Sequence, residues 1–366
     1  MANGFSKEEV VAFDKVLEGF QDAMVMSKLF KTYQTDQTQM ERTGDIIWRP
    51  QPYIMQSYSG LDQTANFGDV AQLAVPATIG FKQSVPFKLT ATELRDLMQS
   101  QRLGDAAKQK LASDINISCS NLAALTGSLV VKRTVAATGF DDVALMEAIM
   151  NEQGVPMENR RLTLSTRDYN GMASNLAGRQ VLQAGKTLTA YEKAQVGQVA
   201  SFDTYKLDYA YRLTAAAGVT VTVNGANQRY VPVPTTTTSA GSLNVDNRFQ
   251  NLTVGVVSGT IKIGDAFTIA GVNAVHHITK QDTGNLKTFR VTAIVSGGGG
   301  AGVIQITPPI IAADSAPTAA ESMYKNVTAT PASGAAITFL NTVAAYVNPF
   351  WPVSYTHLTL PTTPYV

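Results

Sequence analysis

Histidine, tryptophan and cysteine are scarce in this chain of 366 residues, which holds three, two and one of them. The lone thiol, Cys119, cannot form an internal disulfide, so packing alone must hold the fold, as suits a reducing cytosol or a particle built there. Three histidines without cysteine partners exclude the common zinc frameworks. The adjacent His276 and His277, read as strand neighbours, point to opposite faces, one toward the core and one to solvent. Charge is scarce too: charged residues make up 16% of the chain, and 29 Lys and Arg nearly cancel 28 Asp and Glu. A net charge of +1 gives no general attraction to nucleic acid. No run reaches the length of a membrane span, and the first residues lack the basic and apolar stretches of a secretion signal, so a soluble intracellular product is expected. The glycine-rich run from Ser296 to Gly302 lacks the Gly-Lys-Ser/Thr ending of a phosphate loop and reads as a hairpin connection. Asp141 and Asp142 read as first-turn carboxylates of a helix. Nothing assembles a nucleophile, a base and an orienting group, so no catalytic residue, metal ligand or cofactor is expected.

What is present is a long chain, 45% hydrophobic, with the capacity for two or three cores. Residues 1–45 read as an N-terminal arm: Ser6 and Glu9 form a capping box, and Val10, Phe13, Val16, Leu17, Phe20 and Met24 follow at helical spacing. That helix packs either on its own core or on a neighbouring subunit. Residues 46–89 are punctuated by proline and glycine and carry Trp48, Tyr53, Tyr58 and Phe67, the pattern of an extended two-stranded excursion whose aromatics need a surface. Residues 90–130 predict a spine helix from Ala91 to Leu125, bent at Gly104, with Cys119 on its apolar stripe as an inert buried thiol. In residues 131–213 a helix from Asp141 to Gln153, a strand from Arg161 to Ser165 and a helix after Thr166 predict a small mixed α/β domain. Its stretch from Lys186 to Tyr211 is weakly patterned, and its aromatics among balanced charges read as packing or subunit contact.

Residues 214–330 turn to β usage. Strands are expected at 219–223, 229–233, 249–257, 266–269, 274–278, 288–295 and 303–307, joined by soft loops at 234–241, 279–287 and 296–302. The fold class is therefore α+β with an inserted small barrel or sandwich. Residues 331–351 return to the first body through a predicted helix from Ala335 to Tyr346.

Several pieces carry a resemblance. They are Met40-Glu41-Arg42 with Ile47-Trp48, Glu93-Leu94-Arg95-Asp96 continuing to Gly127-Ser128-Leu129-Val130, Gly218-Val219-Thr220-Val221, Asn244 to Phe249, Gly264-Asp265 with Ala270-Gly271-Val272, and Asn348-Pro349-Phe350-Trp351. Together these resemble the major coat proteins of the tailed phages grouped with Salmonella phage P22, over about residues 5–351. The resemblance implies the HK97-type capsid fold: an N-terminal arm, an extended loop, a peripheral domain with the spine helix, an axial domain, and an inserted β-barrel. It also implies pentamers and hexamers assembling with a scaffolding protein into a procapsid and then an expanded virion shell, with a portal ring and packaged double-stranded DNA as further partners. Synthesis in the bacterial host cytoplasm follows. Residues 352–366 depart from the family pattern and read as a foreign tail outside the fold, which predicts an incomplete axial domain with an open sheet edge.

The expected contacts are Phe13 and Phe20 of the arm, Trp48, Tyr53, Tyr58 and Phe67 of the loop, and Asp246, Asn247 and Arg248 at the entry to the Phe249 strand. For the last three a local turn, with Asp246 capping backbone N–H groups, is the competing reading. A tail or surface-attachment protein that binds through its β module is the alternative function.

Overall fold

The computed structural model describes residues 29, 46–55, 57–64, 67–78, 83–86, 88, 97–132, 139–178, 193, 196–207, 209–217, 220–239, 241–314, 316–342, 346–347 and 351–354. Phe13, Phe20 and the expected start of the spine helix at Ala91 lie outside these residues.

Strands β1 (Ile46–Pro50) and β2 (Ala74–Thr78) pair antiparallel, Ile46 against Thr78 and Pro50 against Ala74. Helix α1 (Leu97–Thr126) runs without a break through Gly104, 30 residues or about 45 Å. Its end matches the predicted spine. Cys119 and Ala124 pack with Leu207, whereas Leu122, three residues after Cys119, is exposed. Burial raises the Cys119 thiol pKa, as befits an inert group.

Helix α2 (Phe140–Glu152) carries Asp141 and Asp142 in its first turn, and the Gly139 N–H donates to Asp142 Oδ2. It leads into β3 (Arg160–Ser165) and helix α3 (Thr166–Gly178), whose inner faces meet over Val143, Met150, Leu162, Leu164, Tyr169 and Met172. The stretch that looked unpatterned supplies β4 (Gln198–Val199) and β5 (Phe202–Leu207). β5 lies parallel to β3 and brings the fully buried Phe202 into this core. Four strands result, in the order β16-β3-β5-β4, where β16 is Trp351–Ser354. This corrects the exclusion of everything after Trp351, since Pro352 to Ser354 pair antiparallel with β3 along its second edge. Residues 355–366 lie outside the described part. β6 (Leu213–Thr214) pairs with β15 (Tyr346–Val347), so the chain leaves this body and returns to it side by side.

Between those strands sits a closed antiparallel barrel. Its staves are β7 (Thr220–Val223), β10 (Gln250–Ser258), β11 (Ala266–Val275), β12 (Asp282–Ile294), β13 (Gly302–Thr307) and β14 (Ala336–Phe339), in the spatial order β10-β13-β12-β11-β14-β7. Side chains alternate as a half-buried strand demands, and Val221, Val223, Leu252, Val254, Phe267, Ile269, Phe289, Val291, Ile304 and Ile306 fill the interior. Phe267 stacks on Phe289 with ring centroids 5.7 Å apart.

Three expectations change here. The helix from Ala335 to Tyr346 is instead β14, pairing with both β7 and β11, so the last stave lies beyond residue 330. Alanine content favours a helix, but Ile337 and Phe339 alternate with exposed Ala336 and Thr338, and closing the barrel decides the matter. The two short strands expected between 266 and 278 are one strand with a register shift around Gly271. The segment 229–233 forms no strand, while the soft loop 234–241 contributes to an exposed hairpin, β8 (Thr235–Thr238) with β9 (Gly241–Asn244).

Candidate assembly surface

The excursion between β1 and β2 is anchored at its base. The Gln51 N–H donates to the Leu73 carbonyl at 2.8 Å, and Ile54 and Leu73 pack with Ile311 and Tyr324 in a small core of their own. The Tyr324 hydroxyl donates to the Ala71 carbonyl and accepts from the Leu73 N–H, and Ala74 bridges Asp246. Helix α4 (Ala319–Tyr324), capped by Thr318 and Glu321, holds Tyr324 in place. Past this base the apolar side chains turn outward. Tyr53, Met55, Tyr58, Leu61, Phe67 and Val70 are all exposed, Phe67 at 85%. Trp48, on β1, is half-buried. The tip is shaped all the same: Asp62 accepts from the backbone N–H and hydroxyl of Thr64, which hold its carboxyl below the usual range. A shaped, firmly based segment that exposes this much apolar surface is a candidate surface for a partner.

The Asp246-Asn247-Arg248 turn divides into two roles. Asn247 is 2% exposed, and its carboxamide is spent internally. Oδ1 accepts from the Tyr230 hydroxyl and the Val233 N–H; Nδ2 donates to the Val233 and Val245 carbonyls, all four between 2.9 and 3.1 Å. This corrects the expectation of a contact at Asn247, because a side chain with every bond used and no exposure cannot reach a neighbour. Its work is to pin the base of the β8–β9 hairpin, whose own residues are all exposed. Asp246 and Arg248 remain partly open. The guanidinium donates through Nε and Nη2 to the two carboxylate oxygens at 2.9 and 2.7 Å and lies 5.2 Å from the Phe249 ring centroid, while Asp246 Oδ1 also accepts the Arg248 N–H. Burial, then the Asp246 charge, raise the Tyr230 hydroxyl pKa. Among the described residues no group of His, Cys, Asp or Glu is placed to hold a metal ion.

The family model described as P22 coat protein, gene protein 5, matches residues 1–365. The chain belongs to this family. It is therefore a phage coat protein, a structural subunit of an icosahedral shell and not an enzyme. Among solved structures it is similar to one titled CUS-3 coat protein I-domain, at 40% identity over 34% of this chain and 96% of that one, with a TM-score of 0.26. It is also similar to a chain from Mycobacterium phage Che8, at 10% identity over 77% and 84% of the two chains and a TM-score of 0.39. A third, the capsid structure of the cyanophage P-SCSP1u, stands at 10% identity, 87% and 85% coverage, and a TM-score of 0.33.

The coat protein also contains a polar joint between barrel and body that none of the expectations above includes. Both α1 and α2 end against β12. Arg290, 3% exposed, donates from Nε to the Gly127 carbonyl just past α1 and from Nη1 to the Gly264 carbonyl, and Thr288 Oγ1 donates to the Ser128 carbonyl. Burial lowers the Arg290 pKa to about 10 and the Asp265 charge works against that lowering. Asp265 in turn accepts from Asn341 Nδ2 and the Lys262 N–H, and Asn341 Nδ2 also donates to the Thr214 carbonyl, tying the points where the chain enters and leaves the barrel. Gly264 has φ +91, a conformation that strains any residue with a side chain, and a Cβ there would also push aside the Leu125 terminal methyl of α1, 2.8 Å away. At the end of α2, the Lys287 ammonium donates to Gln153 Oε1 at 2.9 Å and the His277 N–H to the Gln153 carbonyl. His276 and His277 follow β11 in a turn, half-buried and buried respectively, which corrects the expectation of strand neighbours with one histidine in solvent: His276 Nδ1 accepts from the Ile278 and Thr279 N–H groups.

Proposed function

We propose that this coat protein assembles through its extended loop and its barrel hairpin into pentamers and hexamers of a procapsid built with a scaffolding protein. The loop carries the reading: its base is fixed on the barrel while six large apolar side chains stand in water, an arrangement that gains only when a second copy covers it. The arm with Phe13 and Phe20, the exposed hairpin, and the Asp246–Arg248 pair add further contacts in this reading. Synthesis in the bacterial cytoplasm, a portal ring at one vertex, and double-stranded DNA packaged without sequence readout complete it. The near-neutral chain suits an inner face that touches DNA without gripping it.

The test is co-expression with a scaffolding protein, followed by electron microscopy. Closed shells are expected. Leu61→Ser with Phe67→Ser should leave the subunit's melting temperature nearly unchanged, since both side chains are exposed, and sharply lower the shell yield. Only monomers from the unaltered chain, or full assembly of the double variant, refute the assignment.

A further inference from the structure

Two buried cations on β12 stand at the joint between barrel and body, and they are compensated very differently. Arg290 has two carbonyl acceptors and the carboxylate of Asp265 beside it. Lys287 is 2% exposed, and its one hydrogen bond among the described residues runs to a neutral carboxamide, Gln153 Oε1. None of the ion pairs among the described residues includes it. The turn after β11 supplies no anion: it holds His276, the neutral His277, and Lys280 with Lys325 behind it. The nearby carboxylate of Glu152 is engaged by Asn285 Nδ2 at 2.9 Å. The C-terminal carbonyls of α2 supply only a partial negative charge.

We propose that Lys287 strains the joint between barrel and body, a buried cation without a counter-charge among the described residues that makes the barrel easier to release from α2 than its packing alone would allow. An unpaired buried charge weakens the state that buries it, and an apolar side chain of similar shape in its place strengthens that state. Burial takes the Lys287 pKa from the ordinary 10.5 to about 8. The docked joint therefore takes up the proton less readily than the open one. Its closure is weakest below pH 8 and strengthens as pH rises toward 10.5, by roughly 80-fold in the opening equilibrium across that span and about 300-fold in all. The inference goes beyond the shell reading and concerns the subunit alone, so either one fails without the other.

Amide hydrogen exchange on the full chain, corrected for intrinsic rates, reads the opening directly at the His277 N–H, which is bonded to the Gln153 carbonyl. The wild-type joint should close about tenfold more tightly at pH 9 than at pH 7. Lys287→Met should close more tightly at pH 7, by about tenfold or more, and lose that rise with pH. Gln153→Glu places a carboxylate at the ammonium and should likewise tighten the joint at pH 7. Protection of the Phe289 and Ile304 amides in the barrel shows that each variant is folded. Faster exchange at His277 in a folded Lys287→Met chain, or looser closure in Gln153→Glu, overturns the proposal, because either would make Lys287 a plain fastener.

Discussion

Asn247→Ala separates the two roles within the 246–248 turn. In the wild type one carboxamide satisfies the Tyr230 hydroxyl, the Val233 N–H and carbonyl, and the Val245 carbonyl. Alanine leaves all four without that partner in a site that is 2% exposed. Four ordinary hydrogen bonds at about 0.5–1.5 kcal/mol each give a few kcal/mol, and a buried group left unsatisfied costs about 1–3 kcal/mol by itself. Relaxation lets water reach the hairpin base and recovers part of this, so the expected loss is about 2–4 kcal/mol. Urea unfolding of the full chain followed by circular dichroism measures it, as a midpoint lower by roughly 1 M at an ordinary slope. A loss under about 0.5 kcal/mol, with assembly abolished, would return Asn247 to the intersubunit surface and refute the internal assignment.

Asp246→Ala should behave in the opposite sense: the Asp246–Arg248 pair is partly exposed and worth about 0–1 kcal/mol to the subunit, so shell yield falls while the melting temperature barely moves. A fragment of residues 214–342 should give dispersed amide resonances, whereas one of 214–330 lacks β14 and should give a collapsed spectrum, since an open edge replaces the closure between β7 and β11; equal spectra defeat the claim. His277 has its pKa lowered from 6.5 to about 3 by burial, then by Lys280, Lys287 and His276. The unfolded chain takes up this proton first, so stability is full above pH 6.5 and declines as pH falls toward 3; His277→Gln should flatten that acid limb of the stability profile, and an unchanged slope counts against it.

The barrel and the body were legible in the sequence where a strand or helix faces one core. The alternation of Leu252 and Val254, the helical run of α2 and the apolar β3 follow from periodicity alone. β5 and β14 were not, for opposite reasons. Phe202 and Leu207 bracket four mostly polar residues, so β5 shows little pattern until β3 lies beside it. β14 is written in alanine, threonine and one Ile-Phe alternation, where local propensity points to a helix and only the vacant place between β7 and β11 selects a strand.

The polar residues that matter were hidden in a different way. Asp246, Asn247 and Arg248 stood out as three polar groups together, yet composition cannot tell a carboxamide facing inward from a carboxylate facing out; the difference lies in Tyr230 and Val233, more than a dozen residues away. Lys287 did carry a signal. It stands two residues before Phe289 and four before Val291, in phase with the buried face of β12, where a surface lysine should be out of phase. A lysine in register with a barrel core must either reach out of it or be covered by another body. The end of α2 covers this one, so its phase in the strand marks both the docking face of the barrel and the weak point of that docking.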